Sequence, residues 1–435
     1  MDLKSEEFAI CLRFWFMRKM KDSGIEWIGQ IPNDWSITKI KFLLSNENDS
    51  LKVGPFGSQL SGTDFVAEGY WVYSQRVVLD KNFEHNSMLV TKEKFDAMSA
   101  FRVRENDILI TTRGTIGKIC RVPKKFSEGI LHPCIIKFRI DEQKYCYKLL
   151  ELIFNHSGIL QKQLNYLSNA TTIEVIYSGT LKNLQIPFPP LDEQKKIADF
   201  LDEKCGEIDS IRSDILKQID ILNDYKKSVI TEAVTKGLNP KVKLKDSGIE
   251  WIGKIPEHWE IKPIKTIAKI YNGREVEEEL DENDFDAIRV FGSGGVFKFT
   301  NKSLYEGEAV LFGRKGTIGK PMIVSGAFWT VDTMYYSVCK QGNDNRFLYY
   351  ILTVFPWEPY TTQTALPSVV ATEIFRNSIG VPSFPEQKKI TDFLDEKCTE
   401  IETAIAEKQK QFETLEEYKK SLIFEYVTGK KEVPA

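Results

Sequence analysis

Two stretches of this chain repeat apolar residues on a seven-residue pattern. The first stretch, 191–240, carries Leu201, Ile208, Ile215 and Leu222 at successive intervals of seven. The second stretch, 385–435, carries apolar residues at the seam positions of the same pattern, namely Leu394, Ile401, Phe412 and Leu415. This spacing places the apolar side chains in one stripe along an α-helix, so it predicts two long heptad helices.

Both predicted helices have recognisable ends. Glu193 and Glu386 place acids in the first turn, where a helix N-terminus favours negative charge, and Gly237 and Gly429 stand where C-terminal glycines end helices. A helix of this length extends for about 65 Å at 1.5 Å per residue. Its stripe therefore needs a partner, and we favour an antiparallel pair of the two helices over the alternative of helices that are solvated or packed on their own domains.

The rest of the chain reads as short β-branched and aromatic runs bounded by Gly, Pro, Asn or Asp, which is typical of strands. The predicted strands are 70–78, 108–110, 135–140, 288–291, 309–312 and 329–338, and the predicted short helices are 148–164 and 346–354. The predicted fold class is α+β, with two strand-rich globular domains separated by two long antiparallel heptad helices.

The chain is also a tandem repeat. Segment 22–41 returns as 246–265 with 14 of 20 residues identical, and 193–208 returns as 386–401 with 14 of 16 identical, while the sequences between these blocks are mostly unrelated. Such a repeat has approximate two-fold symmetry. The predicted organisation is an N-terminal extension (1–20), a first domain (21–190), a first helix (191–240), a second domain (241–384) and a second helix with its tail (385–435).

Composition supports several domains and hides a local basic character. The chain has 435 residues, 42% of them hydrophobic, and a formal net charge of −3, which gives no general attraction to nucleic acid. Divided by segment, however, 45–190 is net +3, whereas 191–240 and 385–435 are each −3. The run 275–286 alone holds eight acids, and without it the second interior, 269–384, is net +5.

Cysteine and histidine usage points to a reducing compartment. Seven scattered cysteines and four histidines, without any Cys-x-x-Cys pair, indicate neither a disulfide scaffold nor a zinc site. Arg13 interrupts the apolar character near the start, so no signal peptide is predicted, and no run is long enough to span a bilayer. We expect a cytoplasmic protein.

No catalytic constellation emerges from the residues. The stretch 313–320 resembles a phosphate-binding loop only superficially, because its glycine spacing is one residue too long and Pro321 stands where a hydroxyl residue would bind magnesium. The histidines lack metal-ligand spacing. We therefore predict a chain without catalytic or metal-binding residues.

One short element does recur in both dissimilar interiors, an apolar run followed by the glycine turn GTIGK with basic residues around it. Basic side chains and backbone N–H groups at turns are suited to DNA phosphates, although solvated bases on a plain β-turn are the alternative. A second loop, at Gly273-Arg274 and 54–58, is a weaker candidate. The candidate DNA-binding residues are Arg113, Lys118, Arg121, Lys124, Lys125, Arg274, Arg314, Lys315 and Lys320.

Together the two DSGIEWIG openings, the GTIGK turns and the helix starts PPLDEQKKIADFLD and PSFPEQKKITDFLD resemble the specificity subunit of type I restriction-modification systems. The resemblance runs from about residue 21 to 429. It implies that 45–190 and 269–384 each recognise one half of a split DNA site, and that the helices set the gap between the halves.

The resemblance also implies partners that supply the chemistry. Two methyltransferase subunits would bind S-adenosylmethionine and dock on the acidic helices, two motor-nuclease subunits would use ATP and Mg²⁺, and this chain would catalyse nothing. The family's repeated frame normally begins near the start, whereas residues 1–20 have no counterpart before 246, so Met17 or Met20 is a candidate initiator. The alternatives are the specificity polypeptide of a related restriction system and a helical scaffold that binds no DNA.

Overall fold

The computed structural model describes residues 18–167 and 175–434, and the chain divides into two compact units. Unit 1 consists of Met1–Asp214 and Phe412–Ala435, and unit 2 consists of Ile215–Gln411. Each unit therefore contains one strand-rich domain and a part of each long helix.

Unit 1 contains twelve short strands and six short helices among its described residues, before the first long helix begins. Its strands are β1 (Met20–Asp22), β2 (Gln30–Pro32), β3 (Ser36–Lys39), β4 (Leu51–Val53), β5 (Phe65–Val66), β6 (Tyr70–Tyr73), β7 (Leu89–Val90), β8 (Ile108–Thr111), β9 (Ile119–Arg121), β10 (Gly129–Leu131), β11 (Ile135–Phe138) and β12 (Gln185–Phe188). Its helices are α1 (Ile40–Leu43), α2 (Gln75–Asp80), α3 (Lys92–Ala97), α4 (Tyr147–Asn155), α5 (Ile159–Leu167) and α6 (Ser178–Asn183). The first long helix is α7 (Leu191–Lys236).

Unit 2 is built from the remaining elements. Its strands are β13 (Leu244–Asp246), β14 (Lys254–Pro256), β15 (Glu260–Pro263), β16 (Ala268–Asn272), β17 (Ile288–Gly292), β18 (Gly295–Thr300), β19 (Tyr305–Glu306), β20 (Ala309–Gly313), β21 (Met322–Val324), β22 (Ala327–Thr330), β23 (Met334–Cys339) and β24 (Ser378–Val381). Its short helices are α8 (Ile264–Ile267), α9 (Asn345–Val354) and α10 (Ala371–Arg376), and the second long helix is α11 (Phe384–Val427).

The two domains share one topology although their interior sequences differ. Unit 1 has an antiparallel sheet in the order β4-β11-β8-β9, and unit 2 has the same arrangement as β16-β23-β20-β21. A parallel strand pair accompanies each sheet, β6 with β10 in unit 1 and β17 with β22 in unit 2. The tandem repeat is visible in sequence only in the blocks 22–41 and 193–208 and their second copies, which we call the frame. In structure it therefore extends to the folds of the dissimilar sequences between these blocks.

The predicted long helices are confirmed, and so are their glycine ends. Gly237 and Gly429 have φ values of 72° and 70°, the left-handed conformation that stops a helix without a Cβ clash. In unit 1 the two helices run antiparallel, because Asp209 pairs with Lys419 at 2.7 Å and Arg212, three residues further along, pairs with Glu416.

The predicted packing residues of the helices are buried to different degrees. Leu201, Ile208, Ile215, Leu394 and Ile401 are at most 6% exposed, whereas Leu222, Phe412 and Leu415 are half-buried. Leu201 and Ile208 belong to the core of unit 1, and Leu394 belongs to the core of unit 2. The heptad stripe thus closes the cores of both domains as well as the helix seam.

The repeated tryptophan and glutamate of the frame meet at the start of each long helix. Trp35 is 1% exposed and its indole N–H donates to Glu193 at 2.8 Å. Trp259, also 1% exposed, donates to Glu386 at 3.1 Å. Arg18 adds a second contact in unit 1, since its guanidinium pairs with Glu193. This places a residue of the predicted N-terminal extension against the helix.

The glutamine that follows each of these glutamates fixes the helix to its domain. The Gln194 side chain is fully buried, accepts from the Cys146 amide at 2.7 Å, and donates to the Pro189 carbonyl at 2.8 Å. Gln387 is 1% exposed and makes the corresponding bonds to the Asp344 amide and the Pro382 carbonyl. The glutamine of the repeated "EQ" pair therefore joins helix and domain through the same two kinds of backbone bond in both units.

A basic residue completes each joint from the domain side. In unit 1 Lys148 approaches Asp202 at 3.0 Å and Asp199 at 3.5 Å, on neighbouring positions of α7. In unit 2 Arg346 makes the corresponding pairs with Asp392 and Asp395 of α11, at 2.9 and 2.7 Å. These ion pairs add a second set of contacts between each long helix and its domain.

The predicted bounds of three elements are wrong, because in each case the regular structure ends or is interrupted within the predicted range. The strand predicted over 70–78 ends at Tyr73 and gives way to α2, whose Val77 and Val78 are buried as helix residues. The helix predicted over 148–164 is split by Gly158, which has a φ of 71°. The strand predicted over 329–338 is two strands, because the chain turns at 331–333. No helix in the described residues is long and apolar enough to cross a membrane.

Candidate nucleic-acid interface

Several turns of each domain meet at one edge of its four-stranded antiparallel sheet. In unit 1, Val53 pairs with Ile136 and Ile135 pairs with Thr111, so the end of β4, the start of β11 and the end of β8 lie together. We call the turns that follow these ends the sheet edge, comprising 54–56, 112–118 and 132–134. The corresponding sheet edge of unit 2 comprises 273–274, 314–320 and 331–333.

The predicted glycine turn of unit 1 joins two strands at this edge, which confirms a strand followed by a turn. The Thr111 hydroxyl donates to the Thr115 carbonyl at 2.6 Å and accepts from the Lys118 amide at 3.0 Å. Gly117 has a φ of 79°, and a Cβ there would lie 2.6 Å from Leu160. The turn needs glycine because its backbone packs against α5.

The equivalent turn of unit 2 has the same construction from different neighbours. Gly319 has a φ of 78°, and a Cβ on it would approach the Trp357 ring at 3.1 Å. The Gly316 amide donates to the Pro367 carbonyl at 2.9 Å, so the loop 361–368 flanks this turn. In unit 1 the corresponding flank falls partly on residues 168–174, which lie outside the described residues.

The weaker second loop also has an equivalent place in both domains. The Gly54 amide donates to the Ile135 carbonyl, and a Cβ on Gly54 would lie 2.2 Å from the His132 carbonyl oxygen. The Gly273 amide donates to the Met334 carbonyl, and a Cβ there would lie 2.0 Å from the Val331 oxygen. Close backbone approach thus requires glycine at both positions and brings the exposed Arg274 to the sheet edge of unit 2.

The five basic candidates of unit 1 do not form one cluster. Arg113 is exposed on the sheet edge, where its backbone forms an isolated antiparallel β-bridge with Val175. Lys118 is on the same turn but is half-buried, and its ammonium donates to the Asn155 carbonyl at the end of α4. Burial, with a smaller effect from Lys420, lowers the pKa of Lys118. Its structural contact competes with any role in DNA binding.

The other three candidates of unit 1 lie beyond the opposite end of β9. Arg121 pairs with Glu142 and stacks on the Tyr147 ring at 4.2 Å. Lys124 and Lys125 are exposed on the loop that follows β9. Because β9 starts at the glycine turn and ends at Arg121, the structure separates these residues from the sheet edge.

The candidates of unit 2 are closer together. Lys315 is exposed, and its backbone forms an isolated β-bridge with Ser368. Arg113 makes the same kind of bridge at the same place in unit 1, so Arg113 and Lys315 are structural equivalents. The Arg314 amide donates to the Thr333 carbonyl, and its guanidinium lies 3.4 Å from the Asp332 carbonyl. Lys320 is exposed at the end of the same turn.

Further polar side chains at the sheet edge of unit 1 escaped the sequence analysis. Gln75 lies beside the glycine turn, since a Cβ on Gly114 would be 3.2 Å from its side-chain nitrogen. Arg76 follows it with a 90% exposed side chain that lies 3.3 Å from Asp80. The predicted second loop adds Phe56, which is 80% exposed. The available signal was the polar pair Gln-Arg after a run of apolar residues, but it had been assigned to a strand.

The acidic run of unit 2 is neutralised in part by bases of its own domain. Glu277 lies 2.7 Å from Lys302, and Glu279 pairs with Lys298. Those bases are not among the predicted DNA-binding residues. The described ion pairs of this run do not involve Arg274 or Lys315, both of which are exposed.

The described residues show no grouping of side chains that would make a metal site. Burial raises the pKa of the Cys120 and Cys339 thiols to about 12, so both are protonated at neutral pH. Burial, followed by the charge of Arg113, lowers the pKa of His132. The imidazole at the sheet edge is therefore neutral at neutral pH.

The chain is similar to known proteins along most of its length. The family model for the type I restriction modification DNA specificity domain matches twice, at residues 64–221 and 256–411. The chain is 26% identical over 431 residues to the type I restriction enzyme MjaVIII specificity subunit of Methanocaldococcus jannaschii, covering 92% of this chain and 94% of the relative. It is 25% identical over 455 residues to the putative MjaX specificity subunit of the same organism, covering 97% and 99%.

Among solved structures, a chain from work titled "Structural basis underlying complex assembly and conformational transition of the type I R-M system" superposes with a TM-score of 0.67. The match covers 91% of this chain and 98% of that one at 14% identity, and it shows the likeness of fold. Two matches of the family model, which together span more than half of the residues, show that the chain belongs to the type I restriction-modification DNA specificity family.

Proposed function

We propose that this chain is the DNA-recognition subunit of a type I restriction-modification complex, in which each domain binds one half of a bipartite duplex site. The observation that carries the proposal is the sheet edge, which two dissimilar sequences build twice with a basic residue at the same place, Arg113 and Lys315. A basic side chain at this place in both domains is suited to the phosphates that each half-site presents.

The sheet edge suits a division of work between phosphate and base contacts. Exposed Arg113 and Lys315, on turns stiffened by close glycine packing, would contact phosphates and fix the register of each domain. Side chains that differ between the domains, such as Gln75 and Arg76 in unit 1, would contact base edges, where Gln and Arg make bidentate hydrogen bonds. The sequence read by each domain would follow from those unlike positions.

The long helices would have two tasks. Their domain joints, at Gln194 and Gln387, would hold each recognition domain in a fixed orientation and so set the gap of unread bases. Their acidic, repeated surfaces would dock two methyltransferase subunits, and two motor-nuclease subunits would complete the complex. S-adenosylmethionine, ATP and Mg²⁺ would bind to those partners, and this chain would act in the cytoplasm without catalysing a step.

Salt-dependent binding tests the proposal against a DNA-independent scaffold. The chain assembled with its methyltransferase subunit should bind a duplex that carries the site far more tightly than a scrambled duplex, with affinity falling steeply as salt rises. Equal affinity for both duplexes at every salt concentration would instead favour the scaffold.

Exchange of one domain tests the modular part of the proposal. Replacing 45–190 with the corresponding domain of another family member should change one half of the methylated sequence and leave the other half intact. A change in both halves would refute independent recognition by the two domains.

A further inference from the structure

Unit 2 contains a groove of about 500 Å³ that lies outside the proposed DNA contacts, and its lining is mainly apolar but includes Ser228, Glu232, Lys236 and Asn239. Its floor is formed by Val229, Ala233 and Phe393, and its rim by the chain that leaves the end of α7, including Leu238 and Leu244. All of these residues belong to unit 2, and the groove is open to solvent at the rim.

The internal repeat explains why this groove is open. In unit 1 the equivalent position holds Tyr426, whose ring covers Phe200 with centroids 4.7 Å apart. The repeated blocks 193–208 and 386–401 are 193 residues apart. The same offset aligns Phe200 with Phe393 and Ala233 with Tyr426. Unit 2 therefore keeps the phenylalanine but lacks the aromatic ring that covers it in unit 1.

The rim residues are also apolar and unusually exposed. Leu238 and Leu244 are each 42% exposed, and Tyr225, which lines the groove from α7, is 55% exposed. Ile221, one turn earlier on the same helix, is 65% exposed. Large exposed apolar side chains that gather around a groove are typical of an interaction site.

We propose that this groove receives an aromatic side chain of a methyltransferase subunit docked on the helices, an inference that rests on the proposed function. A tyrosine fills the equivalent site in unit 1, so an aromatic ring has the right shape and chemistry for the groove. The groove is continuous with exposed apolar positions of α7, the helix that the proposed function assigns to docking. Unit 1 is already filled by Tyr426, so the two methyltransferase subunits would bind through unlike contacts.

Filling the groove from within tests this proposal. Ala233→Tyr introduces the residue that unit 1 carries at the equivalent position, and Leu238→Asp places a charge at the rim without touching the floor. Lys254→Tyr, on an exposed position of β14 outside the groove, is the matched control. The full chain is titrated with its purified methyltransferase subunit by calorimetry, and the stoichiometry is checked by sedimentation.

The wild type and the control should bind two methyltransferase subunits. Ala233→Tyr and Leu238→Asp should bind one subunit normally and the other at least about tenfold more weakly, as expected for loss of a central aromatic contact. Two equal sites in both folded variants would overturn the groove assignment alone. A wild-type chain that binds no methyltransferase subunit would overturn the proposed function as well, and a wild-type chain that self-associates until Ala233→Tyr is introduced would identify a second copy as the occupant and overturn the proposal.

Discussion

The glutamine joint between each domain and its helix gives a quantitative prediction. Gln194→Met preserves the length and volume of the side chain but removes its hydrogen bonds to the Cys146 amide, the Lys144 carbonyl and the Pro189 carbonyl, which have lengths of 2.7, 3.1 and 2.8 Å. A buried polar group that loses its partner costs about 1 to 3 kcal/mol. The bond to Pro189 is buried and the other two are part-buried.

Counting the part-buried groups at the lower end of that range, we expect Gln194→Met to lower the free energy of unfolding by about 3 kcal/mol. Gln387→Met should cost a similar amount, about 3 kcal/mol, because its bonds to the Asp344 amide and the Pro382 carbonyl are both buried, although its third contact is 3.5 Å long. The two joints are thus predicted to be about equally sensitive.

Urea denaturation measures the loss of stability, and hydrogen exchange at the Cys146 amide measures it locally. Lys195→Met, on an exposed position of the same helical turn, is the control and should change stability by less than about 0.5 kcal/mol. If Gln194→Met unfolds like the control and the Cys146 amide stays protected, the joint does not depend on this glutamine and the reasoning is refuted.

Three further predictions concern the sheet edge and a buried ion pair at the opposite end of the same sheet. Arg113→Gln and Lys315→Gln should each weaken binding to every duplex and reduce the slope of log affinity against log salt by about one, and an unchanged slope in filter-binding titrations would exclude a phosphate contact. Lys118→Met should lower the melting temperature, because it removes the bond from Lys118 to the end of α4. Lys320→Met should instead weaken DNA binding and leave the melting temperature unchanged, because Lys320 is exposed. The reverse pattern would show that Lys118 is not the structural lysine and Lys320 not the DNA-binding one. Asp107→Leu should lower the free energy of unfolding by about 3 to 5 kcal/mol, because it leaves Lys137, a buried lysine of β11 that lies 3.0 Å from the Asp107 carboxylate, without this counter-charge. A loss below about 1 kcal/mol in urea denaturation would contradict that view.

Much of the architecture could be predicted because the frame is repeated. The heptad stripe, the acids in the first helical turn and the glycine ends are local signals, and all three appear in the structure as predicted. Gly237 and Gly429 illustrate this, since a left-handed residue at a helix end is a property of the backbone alone. The shared topology of the two interiors was not predicted, because strand pairing depends on contacts between distant residues of unlike sequence.

The candidate site could be predicted only at its glycine turns. Sequence proximity grouped Arg113 with Arg121, yet strand β9 separates them. The Arg121 guanidinium is paired with Glu142 and stacked on the Tyr147 ring. Gln75 lies 38 residues before Arg113 and reaches the turn only because β6 ends at the same sheet edge. A linear pattern identifies the turn, but three-dimensional placement decides which side chains accompany it.

The central claim is that the two domains read two separate half-sites. Genome-wide mapping of methylated adenines, in cells with and without this chain and with its methyltransferase present in both, tests it most directly. The account predicts that methylation appears only with the chain, at a motif of two short specified halves separated by a constant number of unspecified bases. Methylation that is unchanged by removing the chain, or that falls on one undivided motif, would contradict the account.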